Sequence, residues 1–370
     1  MNKNPLKVLE SLGQSIWLDY IRRDLMASGQ LQLLIKNDGV RGMTSNPSIF
    51  EKAIAESNIY DSDIQGISIS TRDIAAVYEA LSQQDVQVAA DLFRPLYDQT
   101  SGGDGYVSLE VNPHLAYDTL GTIEEGCRLW NALNRPNVLI KVPATAEGIP
   151  AIRHLISQGI NVNVTLLFSL SRYRQVAEAY IAGIRDRIQQ NKSPRRIASV
   201  ASFFLSRIDS AIDPKIEEIP GNGAKNALFA KNMTGESAIS SAKAAYQIYR
   251  EIFGNEQFQQ LGASPQRLLW ASTSPKNPAF GPLKYLEPLI GSNTVSTIPM
   301  ETLVAYRENG DPHALLESDM GKATLVLSEL SESGIDLNQI TAQLESEGVE
   351  KFIRAYDQLL SVLSKKIMAC

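Results

Sequence analysis

Short apolar, β-branched runs recur along the chain at 16–20, 40–44, 106–111, 138–142, 162–168, 197–204, 267–272 and 294–299. Between them, apolar residues keep helical spacing. Ile74, Val77, Tyr78 and Leu81 follow i, i+3, i+4, i+7; Leu120, Ile123, Cys127, Trp130 and Leu133 make a second stripe; Tyr173, Val176, Tyr180, Ile181, Ile184 and Ile188 make a third. Such stripes are the core faces of amphipathic helices. Strands that are apolar on both sides, alternating with helices, predict a buried parallel sheet, either open and doubly wound or closed into a barrel.

An open dinucleotide-binding sheet places a glycine-rich turn after its first strand. Here the first run leads into Asp19-Tyr20-Ile21-Arg22-Arg23, without glycine. Gly221-Asn222-Gly223 follows a proline, lacks a third glycine and has no strand before it, so it reads as a flexible turn. Gly321-Lys322 lacks the upstream glycine of a phosphate-binding loop. Eight strand–helix units favour the barrel, and the predicted class is α/β, a (β/α)8 TIM barrel. The alternation breaks at 47–105, at 210–266 and at 300–370. These stretches predict helical insertions and a C-terminal helical extension, whose last stripe is Phe352, Ile353, Tyr356, Leu359, Leu360 and Leu363. With no low-complexity linker, residues 1–370 read as one domain, the barrel spanning about 16–300 and the extension 301–370.

Composition narrows the function classes. The 370 residues carry 35 Lys+Arg against 41 Asp+Glu, a net charge of −6, which argues against a general nucleic-acid binder. Cys127 and Cys370 are the only cysteines, too few for a disulfide framework, and read as free thiols in a reducing compartment. With three histidines and neither HExxH nor paired CxxC, no metal site is expected. No window approaches the roughly 18 apolar residues of a membrane span, and the N-terminus lacks the apolar core of a secretory signal. The expectation is a cytoplasmic protein with no membrane and no nucleic-acid partner. Its exposed helix stripes leave room for a homodimer.

The informative positions are polar residues inside the apolar runs. Lys141 lies in Val138-Leu139-Ile140-Lys141-Val142. One reading is a strand-end lysine with its head in water. The other is an inward-facing amine that burial drives toward the neutral, nucleophilic form, able to make a Schiff base with a carbonyl. Asp19 ends the first run, Glu110 sits in the third, Asn163 and Thr165 alternate in the fifth, and Thr44, Ser45 and Asn46 close the second. Each alone fits a cap or a strand end. Together they converge on the mouth where barrel enzymes carry their chemistry. Ser202 and Phe204 end the sixth run and Arg207 follows it, while Ser272 ends the seventh and Lys276 follows; hydroxyls with a cation at late strand ends and loops suit a phosphate.

At these residues the sequence resembles the transaldolase family. Gly42-Met43-Thr44-Ser45-Asn46-Pro47-Ser48 is similar to one family signature. Val138 to Ile149, around Lys141, is similar to the active-site lysine signature, and Gly159 to Ser169 resembles the strand after it. The resemblance runs from about residue 16 to 299 and is closest to the longer bacterial branch, without the isomerase domain fused to some members. It implies a (β/α)8 barrel that needs no metal or organic cofactor. The reaction implied is reversible transfer of a dihydroxyacetone unit from sedoheptulose 7-phosphate to glyceraldehyde 3-phosphate in the pentose phosphate pathway.

By the same resemblance, Lys141 forms the Schiff base and Asp19 takes the donor's C4 hydroxyl proton. Glu110 works through a water that Thr165 helps to hold. Thr44, Asn46 and Asn163 surround the lysine and the dihydroxyacetone hydroxyls, with Ser45 in the same signature. Ser202 and Arg207 bind phosphate, and Phe204 lies near the catalytic water. The text after the seventh run, Ala271-Ser272-Thr273-Ser274-Pro275-Lys276-Asn277, lacks the second phosphate-binding arginine of the shorter enzymes, and Lys276 is the candidate to replace it. Two rival expectations remain. One is a fructose 6-phosphate aldolase that releases free dihydroxyacetone, although the aldolases carry glutamine and tyrosine where this chain has Glu110 and Phe204. The other is a sugar-phosphate-binding barrel without catalysis.

Overall fold

The computed structural model describes residues 4–219 and 232–369. The Gly221-Asn222-Gly223 turn and Cys370 lie outside them. Eight parallel strands close in chain order: β1 (Gln14–Leu18), β2 (Val40–Met43), β3 (Tyr106–Glu110), β4 (Val138–Pro143), β5 (Val162–Leu167), β6 (Ser199–Phe204), β7 (Arg267–Ala271) and β8 (Thr294–Ile298). The ring closes through β1 and β8, Gln14 opposite Thr294 and Leu18 opposite Ile298. Each apolar run thus carries one strand of the expected TIM barrel. The first is displaced: β1 stops at Leu18, so Asp19 lies just past its end. The Asp19 N–H still donates to the Ile298 carbonyl at 2.9 Å, which anchors the residue at the carboxyl end of the ring.

Strand alternation decides which side chains face the axis. Ile140 packs outward, beside Gly126 of the helix Thr119–Leu133. Its neighbours Leu139 and Lys141 therefore face inward. Glu110 is in register with Lys141, and Lys141 with Asn163. A carboxylate, an amine and an amide thus occupy adjacent places on the inner face, supplied by β3, β4 and β5.

The helix Thr119–Leu133 corrects one expected stripe. Its buried face is Thr122, Gly126, Leu129 and Leu133, whereas Leu120 is 72% exposed and Ile123, Cys127 and Trp130 are half-buried. A Cβ on Gly126 would lie 3.0 Å from the Leu155 side chain, so the absence of a side chain is what lets this face sit closest to its neighbours. Hydrophobicity alone does not register that contact.

The amino end of the barrel is plugged by Asp104. Its carboxylate accepts from Ser15 Oγ at 2.7 Å, Arg41 Nε at 2.7 Å, Arg267 at 3.2 Å and Trp17 Nε1 at 3.3 Å. Chemistry is therefore left to the opposite, carboxyl end. Three insertion helices follow β2 (Pro47–Ala55, Asp61–Ser70 and Ile74–Gln99). The extension comprises Met300–Asn309, Met320–Glu332 and the long C-terminal helix Leu337–Ala369. Gly321 and Lys322 are helical, and Lys322 pairs with Glu236. Among the described residues no helix is long and apolar enough to cross a membrane.

The C-terminal helix buries Val349, Phe352, Tyr356, Leu359 and Leu363 against the barrel top and the insertion helices. Arg172–Glu345 at 3.1 Å, His114–Asp357 at 2.8 Å and Lys366–Asp61 at 2.7 Å tie it down along its length. It is part of the wall of the carboxyl-end cavity.

Candidate active site

A cavity of about 340 Å³ opens at the carboxyl ends of the strands. Asp19, Thr44, Asn46, Lys141, Thr165, Ser202, Phe204, Arg207, Ser272 and Lys276 all line it, so most of the expected site residues meet in one place.

Lys141 is 5% exposed. Its Nζ donates to the Ser45 carbonyl at 3.1 Å and lies 3.3 Å from Glu110 Oε2. The lysine therefore faces the axis, with its head away from water. Its surroundings are not purely apolar, because a carboxylate shares the burial. Glu110 bears the clearer consequence: burial pushes its carboxyl up to about 7, against the opposing pull of the Lys141 charge and hydrogen bond. Oε1 of Glu110 and Oγ1 of Thr165 are buried without a hydrogen-bond partner among the described residues.

Asp19 stands across the cavity. Thr44 Oγ1 donates to its Oδ1 at 2.6 Å and lies 2.7 Å from Thr297 Oγ1, so two hydroxyls in series orient the carboxylate. Crowding by protein raises the Asp19 proton affinity, Lys141 and the Thr44 hydrogen bond oppose the rise, and Glu301 adds to it.

Three expected residues stand behind the surface rather than on it. Ser45 spends its hydroxyl on the Ser108 carbonyl at 2.7 Å and offers the lysine only its own carbonyl. Asn163 donates to Ser108 Oγ at 3.0 Å and accepts from Ser202 Oγ at 2.6 Å, which leaves its amide fully buried. Glu110 touches Lys141 from the side. Asn46 does face the cavity. Its Oδ1 caps the helix Pro47–Ala55 by accepting from the Ile49 N–H at 3.0 Å, which holds the side chain at a fixed angle.

The far end is cationic. Arg207 is half-buried, Lys276 and Lys52 are more exposed, and none of the three is ion-paired with another described residue. Burial lowers the Arg207 proton affinity, while Glu347 opposes the drop. Burial also lowers that of Lys276, with Arg207 and Lys52 repelling it further and Glu301 and Asp19 pulling it back. Mutually repelling cations that pair with no other described residue, beside Ser272 and Ser274, can hold an anion.

Lys52, Ser48, Ser274, Thr297, Glu301 and Phe352 also line the cavity and were not expected. Thr297 could have been found by applying the rule of polar residues in strands to β8. Lys52 and Phe352 could not, since one looks like a surface helix lysine and the other like a core stripe.

The turn after β4 explains the motif around the lysine. Thr145 Oγ1 accepts from the Gly148 N–H at 3.0 Å and donates to the Ala116 carbonyl. A Cβ on Gly148 would lie 2.0 Å from the Pro143 carbonyl oxygen, so only glycine permits so tight a return into the next helix.

Comparison with known proteins gives the family. The family model for Transaldolase/Fructose-6-phosphate aldolase matches residues 16–363. The chain is similar to the transaldolase of Thiobacillus denitrificans, 45% identical over 361 residues that cover 97% of this chain and 99% of that protein. It is also similar to the transaldolase of Trichodesmium erythraeum, 44% identical over 99% of this chain and 98% of that protein. The transaldolase of Saccharopolyspora erythraea is 40% identical over 98% and 97%, respectively. The extent of these matches, from the first barrel strand into the C-terminal helix, places the chain in the transaldolase/fructose-6-phosphate aldolase family.

Proposed function

We propose that the chain is a transaldolase that uses Lys141 to carry a dihydroxyacetone unit between sugar phosphates. The donor is sedoheptulose 7-phosphate and the acceptor glyceraldehyde 3-phosphate, giving erythrose 4-phosphate and fructose 6-phosphate. The observation that carries this reading is the buried Lys141 amine, 3.3 Å from Glu110, in a cavity that also presents Asp19 and ends in cations that pair with no other described residue.

The chemistry follows from the positions. The donor's phosphate sits at the cationic end, against Arg207 and Lys276 with help from Lys52, and its C2 carbonyl reaches the lysine. Lys141 attacks C2, and loss of water from the carbinolamine gives a protonated imine. Asp19 takes the C4 hydroxyl proton. The C3–C4 bond then breaks, its electron pair forms the enamine, and the aldehyde product leaves. The acceptor aldehyde is attacked by the enamine carbon, and Asp19 returns its proton to the new alkoxide. Glu110 passes protons to and from the water that enters and leaves at the imine carbon, and the unpartnered Thr165 hydroxyl orients that water.

Trapping tests the covalent step. Borohydride added with fructose 6-phosphate should reduce the imine to a stable secondary amine, and peptide mapping should find it on Lys141. Binding without any adduct would favour the non-catalytic reading. Donor cleavage at the same rate with and without acceptor aldehyde would favour the lyase.

The Glu110 value near 7 gives a pH prediction. At neutral pH the carboxyl populates both protonation states, as a two-way proton carrier should. Below that value the ionised form is lost, so kcat/KM should fall about tenfold per pH unit on the acid side. Glu110→Gln should lower the rate by about 10²-fold and flatten that limb. A wild-type profile without a bend between about pH 5.5 and about pH 8 would remove Glu110 from the role.

A further inference from the structure

Phe352 comes from the C-terminal helix, far in sequence from every other residue at the lysine, yet its ring lies over the reacting amine. The ring centroid is 5.6 Å from Lys141 Nζ, the side chain is 8% exposed, and it forms part of the cavity wall. Its position is held rather than incidental. One turn earlier, Gly348 packs on the end of β5, where a Cβ would lie 3.0 Å from Leu166 Cδ2. One turn later, Tyr356 meets Tyr78 edge-on, with centroids 5.6 Å apart. The Arg172–Glu345 and His114–Asp357 pairs bracket the same stretch.

We propose that Phe352 determines reaction specificity by keeping water from the enamine on Lys141, so that the three-carbon unit is transferred to an aldehyde rather than released. This rests on the Schiff-base reading of Lys141. Once the aldehyde product has left, the enamine has two fates. Its carbon can attack the acceptor. Alternatively it can take a proton from water, the C=C electron pair forming the C–H bond, and a second water then hydrolyses the resulting imine to free dihydroxyacetone and the lysine amine. Both steps of release need water at the reacting atoms, whereas transfer needs none until the product imine is hydrolysed. An apolar ring over the nitrogen excludes any water beyond the one that Glu110 and Thr165 hold, and so keeps a stray proton donor from the enamine carbon while the acceptor exchanges. The same ring face favours the cationic imine in a site with little other solvation.

The test is a graded series, Phe352→Leu, Phe352→Val and Phe352→Ala, measuring dihydroxyacetone released per unit transferred, with fructose 6-phosphate as donor and erythrose 4-phosphate as acceptor. Leu keeps the cover and should leave the ratio within about twofold of wild type; Val should raise it, and Ala should raise it about tenfold, because water access grows as side-chain volume is lost. The rise should appear in the release rate, with the acceptor KM little changed. Gly348→Val lifts the helix without altering the ring and should move the ratio in the same direction. Should the Ala variant fail to fold, Val and Gly348→Val decide the matter. A ratio within about twofold of wild type in every folded variant overturns the proposal. Borohydride adducts are scored alongside. If wild type forms none on Lys141, it is the Schiff-base reading that falls; intact adducts with an unmoved ratio remove only the role of Phe352.

Discussion

Lys141→Ala is expected to lower turnover by about 10⁴-fold or more, the scale of loss when a covalent nucleophile is deleted, while the barrel stays folded. Removing one partner of a buried ion pair ordinarily costs about 3–5 kcal/mol, because the other charge is stranded. Here the stranded partner has a way out. Glu110 is already at about 7 with the lysine present, and losing the cation removes the largest influence that holds it down. At neutral pH the carboxyl therefore takes up a proton and ceases to be a buried charge.

The sign of the resulting pH dependence is fixed. A carboxyl whose folded-state pKa lies above its unfolded value, 4.5, contributes stability that is fully present below the unfolded value and lost as pH rises through the folded one. Thermal melts of the Lys141→Ala protein should therefore show Tm falling between about pH 6 and about pH 8, more steeply than wild type. Circular dichroism and steady-state assays check both halves. Turnover within about a hundredfold of wild type would remove Lys141 from the centre of the chemistry.

How much of this was legible in the sequence depends on what each residue is paired with. The barrel could be read because buried parallel strands are apolar on both faces, and counting them separates a closed ring from an open sheet. Lys141 could be read as odd because an ammonium among apolar neighbours needs a partner. That the partner is Glu110 depends on the register of β3 against β4, a relation between residues 31 positions apart that no local pattern encodes. Ser45 and Asn163 show the converse. A polar residue in a buried strand can line a cavity or brace what lines it, and only the hydrogen bonds to Ser108 and Ser202 decide for the second. Phe352 was hidden more completely, because its spacing with Val349, Tyr356 and Leu359 is that of any core-facing helix. Its neighbour is the lysine only because Gly348 admits the helix to the end of β5.

Asp19→Asn should separate bond-making at nitrogen from bond-breaking at carbon. Asparagine keeps the shape and still accepts the Thr44 hydroxyl through its Oδ1, so the 2.6 Å contact and the series through Thr297 survive. What it loses is the capacity to take a proton. Burial raises the Asp19 proton affinity above that of an ordinary carboxylate, with Lys141 and Thr44 limiting the rise, and a stronger base suits removal of a hydroxyl proton. The expected result is a kcat lower by about 10²–10⁴-fold with KM little changed, since the substitution keeps the side chain's shape and leaves Arg207, Lys52 and Lys276 in place to hold a phosphate. Imine formation should persist, because it needs Lys141 and Glu110 rather than Asp19. Borohydride treatment with fructose 6-phosphate should therefore label Lys141 with the mass of the whole six-carbon donor. In the wild-type enzyme, cleavage should compete and a three-carbon adduct should accumulate as well. A three-carbon adduct forming on Asp19→Asn at the wild-type rate would show that the proton leaves C4 by another route. Loss of all adduct would instead assign Asp19 to the carbonyl step. The two masses thus report which bond the carboxylate governs.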